Sequence, residues 1–398
     1  MARVELNKEN CTGCGACANA CLAGAVSMVQ DERGFYIPEI DFEKCTGCGL
    51  CKKACPIGRK KELECSDFAV KAYAAYAKDQ LVRRQSSSGG MFTILARDVL
   101  ARSGIVYGAA FDENFKVVHI GVRSEDGLEK LRGSKYVQSF ISGTLYREIK
   151  DELNKGTAVL FSGTPCQVAG LRFYLQKDYE NLLTVDLVCH GVPSPKVWTG
   201  YLSFLERKYG KIRNYLFRDK DKSWKMFNSK VETENKTVIK YMDQDFFLFL
   251  FLFHTQPMLR ESCYRCAFAD RGRGSDITIG DFWGYQPSEK LVDDDKGISC
   301  VLCNTVKGNA IFNSLLPEVN FELRSLAEVE KGNSVLLHPA KGVESSRSEF
   351  WDVFLKSGID GVYKLYYKKS RKARLLLFLR LDCGWLYNLL RAVYRMFK

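Results

Sequence analysis

The chain has 398 residues, 46% of them hydrophobic and 27% charged, which is ample for two or three buried cores and excludes a disordered chain. Its net charge of +12 is concentrated at one end: residues 368–398 hold nine Lys/Arg and one Asp, and so carry +8 of it. The nearly neutral remainder offers no basic groove for nucleic acid, and the longest purely apolar run, 246–253, is far short of the roughly 20 residues a membrane-crossing helix needs; it reads as core or as an oligomer contact.

Residues 1–10 are mostly polar and do not read as a secretory signal, so the sixteen cysteines are expected to be reduced or metal-bound in a cytoplasm. Two near-identical phrases come next, CTGCGACANAC at 11–21 and CTGCGLCKKAC at 45–55. Each is Cys-x2-Cys-x2-Cys-x3-Cys, the ligand run of a two-cluster bacterial ferredoxin, in which three thiolates grip one cluster and the fourth crosses to the other. The crossing predicts that Cys11, Cys14, Cys17 and Cys55 hold one 4Fe-4S cluster, and that Cys45, Cys48, Cys51 and Cys21 hold a second. Thr12, Gly13 and Gly15, like Thr46, Gly47 and Gly49, are small enough to let backbone amides turn toward the sulfurs and tune their potential. Structural zinc would use pairs of Cys-x2-Cys knuckles rather than triads, and disulfides need an oxidising compartment. Pro56 follows Cys55 as the pattern expects, whereas Leu22 follows Cys21, a departure confined to the local turn.

A charged linker over 58–67 leads to QSSSGGMFTILARDVLARSG at 85–104. Ser86 to Ser88 are expected to cap a helix whose apolar positions are Met91, Ile94, Leu95 and Val99 and which Gly104 stops. Strands follow at 104–111 and 116–122, then a helix at 141–153 and a buried strand at 157–163. The cycle repeats with a helix at 165–176, a buried strand at 182–189 and a helix at 195–209. This alternation predicts an α/β domain with a largely parallel sheet. Ligands of such sheets collect at the carboxyl ends of strands, which points to the loops 86–90, 162–166, 189–192 and, after the strand DITIG, 280–284.

In FSGTPCQVAGL, Cys166 falls near a helix N-terminus, where the dipole favours the thiolate and lowers its pKa. Alone it reads equally well as an inert buried cysteine. Cys189 ends the next buried strand in DLVCHGVPSP, and the sheet would bring it to the same edge. Cys263 and Cys266 form a Cys-x2-Cys knuckle in CYRCAFADRGRGSD, and these four cysteines suffice for a third 4Fe-4S cluster. Cys300 and Cys303 lie three apart on an expected strand, face opposite sides and read as core. Cys65 and Cys383 have no partner at a metal spacing, although Cys65 stays open as a ligand. The turn at 86–90 opens a helix and would present amides to an anion such as a cofactor phosphate; a serine cap without a ligand looks the same, and neither Walker nor dinucleotide-binding glycine spacing is present. GSKYVQS adds Lys135 and Tyr136, a cation and an aromatic of the kind that hold a phosphate or a ring, or plain surface residues. His190 either passes protons beside a cluster ligand or caps a turn.

SSSGG, GSKYVQS, FSGTPCQVAGL, DLVCHGVPSP and CYRCAFAD with SDITIGDFWG, in this order behind a ferredoxin segment, resemble the coenzyme F420 hydrogenase/dehydrogenase beta subunit family over roughly residues 1–335. The resemblance implies an iron-sulfur flavoprotein oxidoreductase that relays electrons between 4Fe-4S clusters and FAD to reduce or oxidise a two-electron substrate or carrier. It implies that Ser87, Ser88, Gly89, Gly90, Lys135, Tyr136, Thr164 and Asp281 surround the flavin, and that Cys166, Cys189, Cys263 and Cys266 hold the body cluster. His190 is the candidate catalytic residue. A redox partner protein, such as a ferredoxin or another oxidoreductase subunit, would exchange electrons with the N-terminal clusters. Two other functions stay open: an electron-transfer subunit with no substrate of its own, and a flavin-less membrane-associated scaffold.

The expected organisation is an α+β ferredoxin-like two-cluster domain at 1–65, an α/β domain at 66–335 and a C-terminal extension at 336–398. In 374–398, Leu375, Phe378, Leu379, Leu386, Leu389, Leu390, Val393 and Phe397 repeat at helical spacing among Arg380, Arg391 and Arg395. A basic amphipathic helix of this kind lies on an anionic membrane surface or docks on protein. The first reading gives a cytoplasmic protein, peripheral on the membrane, with a small-molecule or membrane-linked substrate.

Overall fold

The computed structural model describes residues 5–63, 68–234, 237–239 and 244–369. The chain divides into two units, Met1–Lys196 with Leu259–Gly342, and Val197–Met258 with Val343–Lys398.

The first unit begins with the ferredoxin-like segment. Its two short helices, Ala16–Ala20 and Leu50–Lys53, are each entered through a glycine in the left-handed region, Gly15 and Gly49, both at φ 74°. Between them β1 (Val26–Gln30) and β2 (Tyr36–Ile40) pair antiparallel, with Val26 opposite Ile40. Cys21 and Cys51 are buried with Ala18, Ala25 and Val26.

The rest of this unit is built on one eight-stranded sheet. Its strands are β3 (Lys71–Ala77), β4 (Ile105–Phe111), β5 (Val117–Val122), β6 (Val159–Gly163) and β7 (Leu182–Leu187), together with three later ones. The second unit contributes β8 (Ile212–Asp219), β9 (Asn228–Thr233) and β10 (Thr237–Ile239) to a sheet of its own, and the first unit resumes with β11 (Ile277–Asp281), β12 (Ser299–Cys303) and β13 (Val319–Arg324). The large sheet runs β13-β3-β12-β11-β7-β6-β4-β5. Only β4-β6, β6-β7 and β7-β11 are parallel; β4-β5, β11-β12, β12-β3 and β3-β13 are antiparallel. The sheet is mixed, which corrects the expectation of a largely parallel one. Burial on both faces produces a continuous apolar run whichever way a strand points, so apolar content carries no direction. Direction follows from the connections. The helix Pro165–Leu175 crosses between the parallel β6 and β7, whereas a tight turn at 112–116, with Asp112 Oδ1 accepting from the amides of Asn114 and Lys116, folds β5 back on β4.

One face of the sheet packs Val106, Leu160, Leu183, Val301 and Cys303 against helix Met91–Ala101 and Phe312. The other face presents Tyr107, Val159, Phe161 and Leu182 to helices Leu145–Asn154 and Pro165–Leu175, and Cys14, Ala16 and Ala54 of the ferredoxin segment join this same core. Cys300 packs with Phe282 and Leu302 on that second face, opposite Cys303, as their spacing predicted. Full burial of side chains such as Phe161 contributes about 1.5–3 kcal/mol each.

In the second unit β10-β9-β8 form an antiparallel sheet. Trp198, Tyr201, Tyr215, Phe217 and Phe249 form a connected ring cluster beside it, with centroids 4.8 Å apart for Trp198–Tyr215 and 5.1 Å for Trp198–Phe249. The apolar run 246–253 is in helix Gln244–Thr255 and is mostly buried, so it is core. The segment Glu344–Lys369 is two helices joined at Gly358, whose φ of 59° and ψ of −159° break the helix. The basic amphipathic helix expected over 374–398 lies outside the described residues, as do Cys65 and Cys383. No helix among the described residues is long and apolar enough to cross a membrane.

Candidate functional site

Two parallel strands and one short turn bring the site residues together at one end of the sheet. After β6, Thr164 opens helix Pro165–Leu175, with Pro165 in the first turn and Gln167 Oε1 accepting from the Thr164 amide at 2.9 Å. That turn holds Cys166. Cys189 and His190 follow β7, and Cys263 and Cys266 come from the short turn Glu261–Arg265 and the residue after it. Cys166, Cys189, His190, Cys263 and Cys266 line one cavity. The two loops approach closely enough to require a glycine: Gly191 has φ 104°, and a Cβ there would lie 3.1 Å from Cys263 Cβ.

Desolvation dominates the electrostatics of these thiols. It pushes Cys166 up to about 11 and Cys263 up to about 12, and it raises Cys189 well above its usual value, helped by repulsion from Cys263 and Cys166. The expected lowering of Cys166 is therefore corrected. The Thr164 hydroxyl, 3.1 Å from Cys166 Sγ, does lower it, but removal from water outweighs that effect. Two buried arginines oppose the cost of gathering thiolates here. Arg260 lowers Cys166 and Cys263, and Arg273 lowers Cys266 while pairing with buried Asp186 at 3.2 Å. Sequence reasoning missed both; their one signal is that they flank the CYRC knuckle.

The ferredoxin cysteines lie near one another, and Cys17 feels Cys11 and Cys55 of its own expected set and Cys51 of the other. Cys14 feels Cys17, Cys11 and Cys55. Cys51 feels Cys21 and Cys48. Cys14 is buried, whereas Cys48 is exposed. No group of three or more His, Cys, Asp or Glu side chains among the described residues is arranged to hold a metal ion; the thiols of each set are neighbours without converging on one ion. The donor chemistry nevertheless fits an iron-sulfur group. The body set offers four thiols on one cavity with two compensating cations beside them. At its rim, Thr12 Oγ1 is buried and makes no hydrogen bond of ordinary geometry, although it lies close enough to Cys166 to lower that thiol's pKa.

The first ferredoxin phrase is clamped to the body beside this cavity. Cys11 O accepts from Arg260 Nε at 2.7 Å and from Ser262 Oγ at 2.9 Å, and Arg260 also donates to Tyr36 O. Tyr146 Oη donates to Cys14 O and Gln167 O at 2.9 and 3.1 Å.

The residues singled out for a flavin fall into two groups along the same edge. Ser87 Oγ accepts from the amide and hydroxyl of Ser134 at 2.8 and 3.0 Å, joining the loop 86–90 to the segment with Lys135 and Tyr136. Ser88 Oγ donates to Ile298 O, and the Gly89 amide donates to Ser299 Oγ, Ser299 being the register partner of Asp281. Gly90, at φ 95°, precedes helix Met91–Ala101 as its cap, which corrects the expected serine cap: Ser86 Oγ turns back to Val82 O, and the other two hydroxyls are engaged as above. Lys135 Nζ donates to Lys130 O and Arg132 O, and desolvation brings it down to about 7. Thr164 and Asp281 form the second group. Thr164 lines the cysteine cavity, and Asp281 acts on His190, whose pKa is lowered by burial and partly restored by that carboxylate.

His119 was not anticipated by the sequence. It is buried, its Nε2 lies 3.1 Å from Ser162 O, its ring stacks on Phe161, and burial brings it down to about 4.

Three family models match the chain. "Coenzyme F420 hydrogenase/dehydrogenase, beta subunit N-term" matches residues 72–145, the model for the C terminus of the same coenzyme F420 hydrogenase/dehydrogenase beta subunit matches 156–329, and "4Fe-4S dicluster domain" matches 10–58. Comparison with curated proteins returns no match. Among solved structures, a chain of the xenon-derivatised F420-reducing NiFe hydrogenase complex from Methanosarcina barkeri is 20% identical, with 75% of this chain and 91% of that chain covered and a TM-score of 0.42.

Proposed function

Because this chain belongs to the coenzyme F420 hydrogenase/dehydrogenase beta subunit family, with a 4Fe-4S dicluster domain in front, we propose that it is an iron-sulfur flavoprotein oxidoreductase with a two-electron substrate or carrier. Cysteine-bound clusters exchange one electron at a time and a flavin exchanges one or two, so these groups when bound would supply the coupling between a one-electron partner and a two-electron reactant. The chain's own residues supply placement, charge compensation and proton handling.

The observation that carries this reading is the single cavity lined by Cys166, Cys189, Cys263 and Cys266 at the sheet edge, with Thr12 of the first ferredoxin phrase on its rim. Those four cysteines would hold a body cluster beside the two N-terminal ones. Arg260 and Arg273 offset its negative charge, and the hydrophobic wall at Phe268 limits water there. Ser87, Ser88, Gly89, Gly90, Lys135 and Tyr136, with Thr164 and Asp281, would hold FAD. The amides of Met91 and Phe92 precede the first bonds of helix Met91–Ala101, which Thr93 and Ile94 make to Gly90 O, and suit a phosphate. His190, kept neutral by burial and facing the Asp281 carboxylate, would accept or return the proton that accompanies reduction. A protein electron carrier would meet the exposed second phrase.

The test is anaerobic purification followed by iron, acid-labile sulfide and flavin analysis per chain. About twelve irons and one flavin are expected, as three 4Fe-4S clusters and FAD require. About eight irons and no flavin would leave a ferredoxin on a body of other function and would overturn the proposal.

A further inference from the structure

We propose that Thr12 is a positioning donor supplied by the ferredoxin segment to the body: its hydroxyl hydrogen-bonds the Cys166 sulfur and sets how readily the group on the body cysteines takes an electron. The inference rests on the reading that Cys166, Cys189, Cys263 and Cys266 hold a cluster.

Several independent features place Thr12 in this role. Its Oγ1 is buried without a hydrogen bond of ordinary geometry, and Thr12 lines the same cavity as Cys166. A buried hydroxyl lacking a partner costs about 1–3 kcal/mol unless something accepts from it, and the Cys166 sulfur is an acceptor on that cavity that Thr12 lies close enough to influence. The Thr12 backbone is held by the loop that carries the other half of the set, because Cys11 O takes hydrogen bonds from Arg260 and from Ser262, the residue before Cys263. The turn has no slack on its far side. Gly13 has φ 71°, and a Cβ on it would lie 2.9 Å from Tyr36 O. The same helix that starts at Cys166 brings Gly170 against Cys14, where a Cβ would lie 2.9 Å from the sulfur. Thr12 thus occupies the junction between the first ferredoxin set and the body set. Thr46, its counterpart in the second phrase, is exposed and acts on its own Cys48, lowering that thiol's pKa.

A donor to a cluster-ligating sulfur stabilises the more negative, reduced form. Removing it makes reduction harder. The experiment is a mediated reductive titration of the anaerobic holoprotein followed by EPR, in parent, Thr12→Val, Thr12→Ser and Thr46→Val proteins, with iron counted in each. Thr12→Val is expected to lower the reduction equilibrium constant of the body signal about tenfold, which is 59 mV for a one-electron couple. Thr12→Ser, which keeps the donor, should stay near the parent, and Thr46→Val should leave the body signal where it is. A body signal at the parent potential in Thr12→Val, with the iron count intact, would overturn the inference. So would an equal shift in Thr12→Ser, since that would make the effect steric. A parent protein with only two cluster signals and about eight irons would instead overturn the reading beneath it.

Discussion

Asn19 and Lys53 hold the same place in CTGCGACANAC and CTGCGLCKKAC. Asn19 is fully buried, donating from Nδ2 to Gly15 O and Ser142 O and accepting on Oδ1 from the Tyr146 amide, while Lys53 is exposed. Thr12 and Thr46 differ in the same sense, and so do Cys14, packed in the core of the body, and Cys48, open to water. The two phrases share a ligand spacing and divide the work. The first phrase is a joint: Arg260, Ser262 and Tyr146 grip its carbonyls, and Cys14 packs in the core of the body. The second is a surface. Where the first phrase has Ala18 and Asn19, both buried, the second has Lys52 and Lys53, both exposed, so the charge difference between the copies follows the difference in burial.

Removing one cysteine from each phrase separates the two most widely. Cys14→Ala and Cys48→Ala should each cost about four irons, the content of one cluster. Only Cys14→Ala should also lower the thermal midpoint of the body, because its side chain packs against helix Pro165–Leu175. Equal midpoints in the two variants would break the comparison. Next in size is the arginine at each joint. Arg260→Met takes the donors from Cys11 O and Tyr36 O at a residue only 4% exposed, and about 2–4 kcal/mol should be lost in denaturant unfolding. Arg59, which donates to Lys53 O and Glu62 and lies over the Phe173 ring but is 32% exposed, should cost less, about 1 kcal/mol, as Arg59→Ala. Tyr146→Phe, which leaves the carbonyls of Cys14 and Gln167 short of a donor, should cost about 1–2 kcal/mol in the same unfolding measurement.

Much of this was legible before any coordinates. The ligand spacing marked the N-terminal segment as a 4Fe-4S dicluster domain, and buried strands ending in Thr164-Pro165-Cys166 and in Cys189 pointed to the candidate site by the carboxyl-edge rule. What the sequence hid has physical causes. An apolar strand buried on both faces looks the same in either direction, so the antiparallel β3 and β12 were invisible as such. A helix N-terminus suggests an acidic thiol, but the desolvation that raised Cys166 depends on loops almost 100 residues away, at Cys263 and Cys266. Serines before a helix suggest a cap, yet Ser87 and Ser88 were claimed by Ser134 and Ile298, partners that only the fold brings near, and Gly90 took the turn. Arg260, Arg273 and His119 are charged or polar residues whose burial no local pattern announces.

The smallest and cleanest separation uses the glycines that start the two short helices. Gly15 and Gly49 share φ 74°, so an alanine at either one meets the same left-handed strain of about 1–2 kcal/mol. The surroundings differ. A Cβ on Gly15 would lie 2.9 Å from Cβ and Cγ2 of Ile141, whereas a Cβ on Gly49 would meet nothing within 4 Å. Ile141 is itself 1% exposed and cannot swing away, so Gly15→Ala adds overpacking of about 1 kcal/mol or more to the strain, and Gly49→Ala carries the strain alone. Denaturant unfolding of the two single variants and of Gly15→Ala in an Ile141→Ala background, each against its own parent, isolates the packing part. The excess cost at Gly15 should shrink when Ile141 loses Cγ2. An excess that persists unchanged would mean the clash is relieved elsewhere and the first phrase is not wedged against the body at this point.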